Sequence, residues 1–356
     1  MKTAVIGCGF QGRLHIESLK RLSDVEVVAV CDIDEARSSA TAQEFGISHS
    51  YTDYRALIDA HALDLLTVCT MPNSHHEIVL TGLGAGANIL CEKPFAMNAT
   101  EATQMTAAAS AADRLLAVGF NMRFMGSATA VRRFIDEGRL GTPICARGFM
   151  LADDVPWWGR HYVKEISGGG ALAATAVHML DLVRWLAGNP TPTTASASTT
   201  RVFPRKRLEG APTTASVDSY NTEDMVFGHV RFENGFWMSI EGSWVWDRPG
   251  WNYGFDLAGD KAQASFDPLG FSGEEAGVLT ALQAKAETDT DFPSSVDREI
   301  EDVVTALLEK RAPRTAADAS EALVIQALVD ALYRSAELGR EVEVTVPDIN
   351  AAPMSA

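Results

Sequence analysis

A lysine follows a short apolar run, in the segment Glu92-Lys93-Pro94. The run at residues 88–91 is typical of the end of a buried strand, and open α/β sheets bind their ligands at the carboxyl ends of parallel strands. An ammonium group placed there donates to a substrate oxygen and stabilises negative charge that develops on it. The same tripeptide would also suit a solvated ion pair before a helix-starting proline. The assignment therefore depends on the sequence upstream.

That upstream sequence predicts a dinucleotide-binding unit. Gly7, Gly9 and Gly12 form a GxGxxG pattern between a β-branched run at residues 3–6 and a helical pattern. Glycines at this spacing let the backbone approach a pyrophosphate at a helix N-terminus. Asp32 ends the next predicted strand, twenty residues after Gly12, where a carboxylate accepts hydrogen bonds from an adenosine ribose. It would also repel a 2′-phosphate, which favours NAD as the cofactor and makes NADP less favoured. Capping the next helix is the alternative role of Asp32.

The order of elements predicts an α/β chain. Apolar strands alternate with helical segments as far as residue 121, which indicates a doubly wound parallel sheet. Short strands of an antiparallel sheet follow, with Asn234-Gly235 as the clearest hairpin turn. The predicted domains are residues 1–121 and 122–347. Residues 348–356 are expected to form a disordered tail, and residues 204–216 a surface loop.

Composition excludes several classes of function. The chain has 356 residues and a formal charge of −17, which argues against nucleic acid and against an anionic membrane surface as partners. Its five cysteines lack CxxC spacing and are expected to be buried thiols, so no metal site is predicted. No signal peptide is visible, and no apolar run approaches the length that spans a bilayer. A cytoplasmic location is therefore expected.

Five motifs in order along the chain carry a family resemblance. They are Gly7-x-Gly9-x-x-Gly12, Pro72-Asn73-x-x-His76, Glu92-Lys93-Pro94, Asn121-x-Arg123, and Gly168-Gly169-Gly170 followed by His178-x-x-Asp181. The set resembles the glucose–fructose oxidoreductase, inositol dehydrogenase and MocA (Gfo/Idh/MocA) family over nearly the whole chain. The resemblance implies an N-terminal Rossmann domain and a C-terminal α+β domain. It also implies that a large, open, mainly antiparallel sheet forms a homodimer or homotetramer.

The resemblance also implies an activity and the residues that carry it. Family members oxidise a secondary alcohol of a sugar, a sugar acid or a cyclic polyol such as inositol, with NAD(P) as hydride acceptor. Lys93 matches the catalytic lysine, and His178 matches a histidine suited to move a proton near neutral pH. Pro94 is implied to follow a cis peptide that directs Lys93 toward the nicotinamide. The residues expected at the cofactor are Gly7, Gly9, Phe10, Gln11, Gly12, Asp32, Thr70, Pro72, Asn73, His76, Glu92, Lys93 and Arg123.

One position departs from the family pattern. Many members carry an aspartate four residues before the histidine, where this chain has Ala174. In an α-helix Thr175 would face about 100° away, so its hydroxyl does not simply replace the carboxylate. Three alternatives follow: another substrate binding mode, a base supplied by Glu165 or Tyr162, or lost dehydrogenase activity. A second hypothesis is therefore transient redox on tightly bound NAD, as in isomerisation, elimination or glycoside cleavage. A third is a sugar- and NAD-binding protein without turnover.

Substrate recognition is expected in the second domain. All seven tryptophans lie between residues 157 and 251, and aromatic faces beside polar groups suit the CH and OH surfaces of a sugar. Packing in a core or a subunit interface is the alternative for each tryptophan. A guanidinium would also bind a carboxylate, which keeps a sugar acid open as substrate. The expected substrate-binding residues are Lys93, Arg123, Trp157, Trp158, Arg160, His161, Tyr162 and His178.

Overall fold

The computed structural model describes residues 1–203, 217–283 and 292–349. The chain divides into two compact units. The first contains residues 1–124, 292–323 and 347–349, and the second contains residues 125–283 and 324–346. The predicted boundaries place all of 122–347 in one domain, whereas residues 292–323 pack with the first unit. The loop predicted at 204–216 and the tail from residue 350 lie outside the described residues.

The first unit is built on a seven-stranded sheet. Its strands are β1 (Lys2–Ile6), β2 (Glu26–Cys31), β3 (His49–Tyr51), β4 (Leu65–Val68), β5 (Asn88–Glu92), β6 (Leu116–Gly119) and β15 (Ala317–Asp318). The order is β3-β2-β1-β4-β5-β6-β15, and every neighbouring pair is parallel except β6 and β15. The first six strands have the order of a dinucleotide-binding Rossmann domain, as predicted.

Helices connect these strands and pack against the apolar side chains of the sheet. They are α1 (Phe10–Arg21), α2 (Glu35–Phe45), α3 (Tyr54–Ala60), α4 (His75–Gly84), α5 (Ala99–Ala112) and α9 (Phe292–Glu309). Ile16 and Leu19 of α1 share a buried cluster with Ile300 of α9. The cap of α2 is Asp34, whose carboxylate accepts from the Arg37 N–H, so Asp32 is not the helix cap.

The second unit is built on a nine-stranded sheet. Its strands are β7 (Pro143–Leu151), β8 (Pro192–Thr200), β9 (Met225–Phe232), β10 (Trp237–Ser243), β11 (Asn252–Gly259), β12 (Ala262–Phe266), β13 (Leu269–Glu275), β14 (Val278–Ala281) and β16 (Val342–Glu343). The order is β14-β13-β12-β11-β7-β10-β9-β8-β16, and only β7 and β10 pair in parallel. Gly235 adopts φ +84° between β9 and β10, at the predicted hairpin turn. The predicted fold class is confirmed for both units.

Helices cover one face of this sheet. They are α6 (Gly126–Asp136), α8 (Val177–Leu186) and α10 (Ala319–Leu338), of which α10 contributes its residues from 324 onward. Side chains on β7 alternate accordingly: Ala146 and Met150 are buried, whereas Arg147 is exposed on the opposite face. Arg147 there forms a bidentate ion pair with Glu241 of β10, at 2.7 and 2.9 Å.

One described segment corrects the expectation that no apolar run is long enough to span a bilayer. Lys164–Leu186 qualifies by length and composition alone, but 89% of its apolar window is buried inside the structure. Core packing therefore explains its composition. The segment consists of the short helix α7 (Lys164–Ser167), three glycines, a π-helical turn at Ala171–Ala176, and α8. Ala174 and Thr175 therefore lie in a π-helical turn and not in the α-helix that the sequence comparison of these two positions assumed.

Candidate active site

The three glycines after β1 have different physical roles. A Cβ on Gly7, at φ +98°, would lie 2.4 Å from the Cys69 carbonyl oxygen, and one on Gly12 would lie 1.8 Å from the Gly7 carbonyl oxygen. Only glycine fits at these two positions. A Cβ on Gly9 would meet no atom within 4 Å. Gly9 is also the N-cap of α1, and none of the described side chains caps that helix. The turn therefore leaves room and backbone N–H groups for an anionic group.

Asp32 lies against this turn at the end of β2. Its carboxylate accepts from the Cys8 N–H at 2.9 Å and from the Asp34 N–H at 2.9 Å. Arg37 donates to both carboxylate oxygens, at 3.2 and 3.3 Å. A fixed carboxylate next to a glycine turn and an uncapped helix suits the ribose and pyrophosphate of NAD. The residues present therefore fit the predicted cofactor.

A buried histidine joins the loops that follow β4 and β5. The Nε2 atom of His75 lies 3.0 Å from the Thr70 carbonyl oxygen, and its Nδ1 atom lies 3.0 Å from the Pro94 carbonyl oxygen. Burial lowers the pKa of His75, although the carbonyl oxygens and the charge of Glu92 favour the protonated ring. Sequence reasoning selected His76, whose ring is only partly buried. Two adjacent histidines give no signal of which one faces the sheet.

Thr70, Pro72 and Asn73 occupy the loop after β4. Pro72 begins a 3₁₀ turn at Pro72–Ser74, and Asn73 is exposed. The Ser74 hydroxyl donates to the Thr70 hydroxyl at 2.7 Å, and no side chain of the described residues caps α4. The loop lies at the carboxyl end of the central strands, so the predicted cofactor contacts of its residues remain consistent with its place in the sheet.

Lys93 follows β5 in a turn that Glu92 holds in place. The Lys93–Pro94 peptide is cis, which confirms the expectation from the family resemblance. Glu92 accepts from Gln11 Nε2 at 2.8 Å and from the Lys93 N–H at 3.2 Å. His15 Nε2 lies 3.0 Å from the same carboxylate. Glu92 thereby connects the start of α1 to the lysine turn. His15 is fully buried and was not predicted from the sequence.

Burial and neighbouring charges act in opposite directions on the pKa values of Lys93 and Glu92. Burial lowers the pKa of Lys93, and the charge of Glu92 partly counteracts that effect. Burial alone would raise the pKa of Glu92, but the hydrogen bond and charge of His15, with the charge of Lys93, outweigh it and the net pKa is lowered. Glu92 is therefore ionised at neutral pH, and Lys93 releases its proton more readily than an exposed lysine does.

Arg123 has protein partners in the first unit. Its side chain is 1% exposed. The guanidinium donates to Glu321 Oε2 at 2.8 Å and to the Thr315 carbonyl oxygen at 3.2 Å. These contacts join the end of the parallel sheet to Thr315 and to the first turn of α10. Its contact with a cofactor or a substrate stays a prediction.

His178 lies in the first turn of α8, and a carboxylate fixes the start of the segment that carries it. Glu223 accepts from the Gly170 N–H at 2.9 and 3.0 Å and from the Leu172 N–H at 3.0 Å. The Tyr333 hydroxyl donates to the same carboxylate at 2.8 Å. Burial raises the pKa of Glu223, while these hydrogen bonds act to lower it. Glu223 and Tyr333 position the histidine segment, a role that sequence reasoning missed because the two residues are distant in the chain.

Ala174 packs into an apolar cluster where many family members have aspartate. Buried members of this cluster include Tyr162, Tyr220 and Trp244. The Thr175 hydroxyl donates to the Ala171 carbonyl oxygen at 2.7 Å and accepts from Trp244 Nε1 at 3.2 Å. Thr175 is therefore engaged in structural hydrogen bonds. No carboxylate replaces the missing one within the π-helical turn.

The two bases suggested as replacements lie in contrasting surroundings. Glu165 is exposed and accepts from Asn221 Nδ2 at 2.9 Å, and this hydrogen bond lowers its pKa, which makes it a weaker base. Tyr162 is buried, and its ring centroid lies 5.1 Å from that of Trp157.

Three more residues predicted for substrate binding lie near Tyr162 and Glu165 in the sequence. His161 is buried, whereas Arg160 is exposed and adopts φ +56°. The side chain of Trp158 lies outside the described part of the chain. The second unit thus brings Trp157 and Tyr162 together near Ala174.

Comparison with known protein families finds one matching family domain in each of the two units. Residues 1–120 match the sequence model described as "Oxidoreductase family, NAD-binding Rossmann fold", and residues 128–265 match the GFO/IDH/MocA C-terminal domain. The chain is 30% identical over 348 residues to D-glucoside 3-dehydrogenase of Escherichia coli (strain K12), covering 97% of each chain. It is 30% identical over 188 residues to myo-inositol 2-dehydrogenase of Thermotoga maritima, covering 53% of this chain and 55% of that one.

Solved structures show the same fold. A levoglucosan dehydrogenase in complex with NADH superposes with a TM-score of 0.85 at 21% identity, over 98% of this chain and 100% of that chain. The two sequence models together cover most of the chain, and the Escherichia coli relative covers nearly all of it. The chain therefore belongs to the GFO/IDH/MocA family of oxidoreductases, and its first unit is the NAD-binding Rossmann domain of that family.

Proposed function

We propose that this NAD-dependent dehydrogenase oxidises a secondary alcohol of a sugar, an inositol or a sugar acid, with Lys93 and His178 acting on the alcohol. The partly buried Lys93 at the end of β5, with its lowered pKa, is the observation that carries the proposal. The names of relatives support the substrate class, since one is a D-glucoside 3-dehydrogenase and another a myo-inositol 2-dehydrogenase.

Each residue has a defined task in this proposal. Bound NAD supplies the acceptor for the hydride that leaves the alcohol carbon. The Lys93 ammonium donates to the alcohol oxygen and stabilises the alkoxide, and a single donor of this kind contributes about 3–4 kcal/mol. His178 takes the proton, because an imidazole exchanges protons near neutral pH. Glu92 keeps the lysine turn in place by accepting the Lys93 N–H.

A substrate screen tests the proposal. Neutral sugars, cyclitols and sugar acids are each incubated with NAD while the absorbance of reduced nicotinamide is followed. We expect one equivalent of NADH for each keto product. Product formed without net NADH would instead support transient redox on bound NAD. No NADH and no product with any of these alcohols would contradict the proposed function.

Glu92 is expected to control the alkaline limit of activity. Lys93 donates only while it is protonated, so the rate falls as pH rises through its pKa. Burial lowers that pKa and Glu92 raises it, so Glu92→Gln lowers it further. We therefore expect the alkaline limb of kcat to lie below the ordinary lysine pKa of about 10.4 and to move to lower pH in Glu92→Gln. A limb that stays in place in the variant would remove Glu92 from this role.

A side chain at Gly119 is expected to displace the Glu92 carboxylate. A Cβ added on this β6 residue would lie 2.8 Å from Glu92 Oε1 and 2.9 Å from the Glu92 carboxyl carbon. Gly119→Ala would displace the carboxylate, at a cost on the order of 1–3 kcal/mol, and kcat should fall at least about tenfold. Gly84→Ala in α4 is the matched control, because its Cβ would meet no atom within 4 Å. Wild-type kcat in Gly119→Ala would show that the carboxylate position is unimportant.

We further propose that the exposed face of the nine-stranded sheet joins subunits into a homodimer or homotetramer. Trp237 is 40% exposed on this face and Phe227 is 41% exposed. Apolar residues beside an Arg147–Glu241 ion pair are typical of a subunit interface. The cytoplasmic location and the absence of nucleic acid and membrane partners stay predictions.

A further inference from the structure

The carboxylate of Asp32 is the group expected at the adenosine ribose, and in the structure its acceptor positions are filled by protein donors. Each carboxylate oxygen has two lone pairs, so the group accepts about four hydrogen bonds. Oδ2 accepts from the Cys8 N–H at 2.9 Å and from Arg37 Nη1 at 3.3 Å. Oδ1 accepts from the Asp34 N–H at 2.9 Å and from the same Arg37 nitrogen at 3.2 Å. A ribose diol therefore donates to Asp32 only after one of these donors leaves.

Arg37 is the donor that leaves most easily. Its two contacts with Asp32 are longer than the distance of about 2.7–2.9 Å that is usual between a guanidinium and a carboxylate, and one nitrogen serves both oxygens. The Cys8 and Asp34 N–H groups belong to the glycine turn and to the cap of α2, so the backbone fixes them. The Arg37 side chain is 51% exposed, whereas that of Asp32 is 6% exposed. The guanidinium can therefore turn away from Asp32 without a change in the backbone.

A second carboxylate keeps the guanidinium near this place. Arg37 Nη2 donates to Asp34 Oδ2 at 3.3 Å, and Asp34 also caps α2, the helix that carries Arg37. An arginine released from Asp32 is therefore still held beside the ribose position. Guanidinium groups bind phosphates through parallel N–H donors. In dinucleotide-binding domains, an arginine near the acidic position accommodates the 2′-phosphate of NADP.

We infer that Arg37 is a cofactor-selectivity residue, which weakens the preference for NAD that Asp32 creates and gives the chain a measurable affinity for NADP. With NAD, Arg37 competes with the ribose hydroxyls for the Asp32 carboxylate. With NADP, the guanidinium turns to the 2′-phosphate and reduces its repulsion by Asp32 and Asp34. The chain still prefers NAD, because the summed charge of the two carboxylates and Arg37 is negative. The inference concerns the Rossmann domain alone, so it holds or fails independently of the alcohol substrate.

The test measures the dissociation constants of NADH and NADPH by their fluorescence, which requires no substrate. The two cofactors differ only in the 2′-phosphate. We expect the wild-type chain to bind both, with NADPH as the weaker ligand. In Arg37→Met the affinity for NADPH should fall at least about tenfold, because a charge-assisted hydrogen bond to the phosphate is lost. The affinity for NADH should stay equal or rise, since the competitor for Asp32 is gone, and this result also shows that the variant is folded.

Further variants separate selectivity from a general loss of charge. Arg55→Met is the matched control, because Arg55 is similarly exposed and forms an ion pair with Glu77 in the same unit. Both dissociation constants should stay as in the wild type. Asp32→Asn removes a repelling charge, so NADPH should bind at least about tenfold more tightly and NADH more weakly. When Asp32→Asn is combined with Arg37→Met, most of the gain for NADPH should disappear, because the guanidinium supplies it.

Each outcome supports or overturns the inference. A ratio of the NADPH to the NADH dissociation constant that rises in Arg37→Met and stays at the wild-type value in Arg55→Met would support it. An unchanged ratio in Arg37→Met, or no binding of NADPH to the wild-type chain, would overturn it. An equal loss of affinity for both cofactors in Arg37→Met would also overturn it, because Arg37 would then be a general cofactor ligand. A failed substrate screen would contradict the proposed function and leave these binding constants unaffected.

Discussion

Lys93→Met is expected to lower kcat at least about a hundredfold while the affinity for NAD changes little. The variant removes the donor to the alkoxide, an interaction that is made only as the alcohol is oxidised and is worth about 3–4 kcal/mol. Methionine keeps most of the side-chain volume in the partly buried site. The measurements are steady-state kinetics with the substrate found in the screen and NAD binding by fluorescence.

Lys20→Met serves as the control for Lys93→Met. Lys20 is exposed near the end of α1, and we expect wild-type kcat in this variant. Wild-type kcat in Lys93→Met would remove the lysine from the mechanism. A large loss of NAD affinity with unchanged kcat would make Lys93 a cofactor ligand only.

Ala174→Asp is expected to lower the free energy of unfolding by about 3 kcal/mol or more. The new carboxylate would lose its hydration among the apolar side chains of Tyr162, Phe203 and Trp244. Burial would raise the pKa of the new aspartate, so the loss should be smaller in acid, where the carboxyl group is neutral. Denaturant unfolding at acid and neutral pH measures both effects.

Ala36→Asp is the matched control for this substitution. Ala36 is exposed in the first turn of α2, where an acidic residue interacts favourably with the helix dipole. Its stability should equal or slightly exceed that of the wild type. Wild-type stability in Ala174→Asp together with new turnover would contradict the packing described here. It would favour a binding protein that lost its chemistry with the aspartate.

The parallel sheet was predictable because its signals are local. The turn at Gly7–Gly12, the acid at Asp32 and the alternating apolar runs each fall within one βα unit. The contribution of α9 and β15 to the first unit was not predictable in this way. Both elements contact parts of the first unit that lie more than 170 residues earlier in the chain, as β15 does when it pairs with β6. No local sequence pattern encodes such contacts.

The second unit shows a different limit. Asn234-Gly235 marked its hairpin, but β12, β13 and β14 were missed because their sequences are short and mixed in polarity. The π-helical turn at Ala171–Ala176 has the same alanine-rich composition as an α-helix. The contacts of that turn come from distant residues, since Trp244 donates to Thr175 and Glu223 accepts from the Leu172 N–H.

Within the candidate site, motif residues were easier to predict than the residues that support them. Lys93 and the glycines follow from strand ends and turns, whereas His15 and His75 act through contacts between separate strands and helices. Arg123 is the opposite case. It belongs to a family motif and was predicted at the cofactor, but the partners of its guanidinium in the structure include Glu321 and the Thr315 carbonyl oxygen.

The most direct test of the central claim is a crystal structure of the unreactive complex of the wild-type chain with NADH and its alcohol substrate. The account predicts that Lys93 Nζ lies within about 2.6–3.2 Å of the hydroxyl oxygen on the carbon next to the nicotinamide. A Lys93 side chain directed into solvent, with the alcohol oxygen held by other residues, would contradict it.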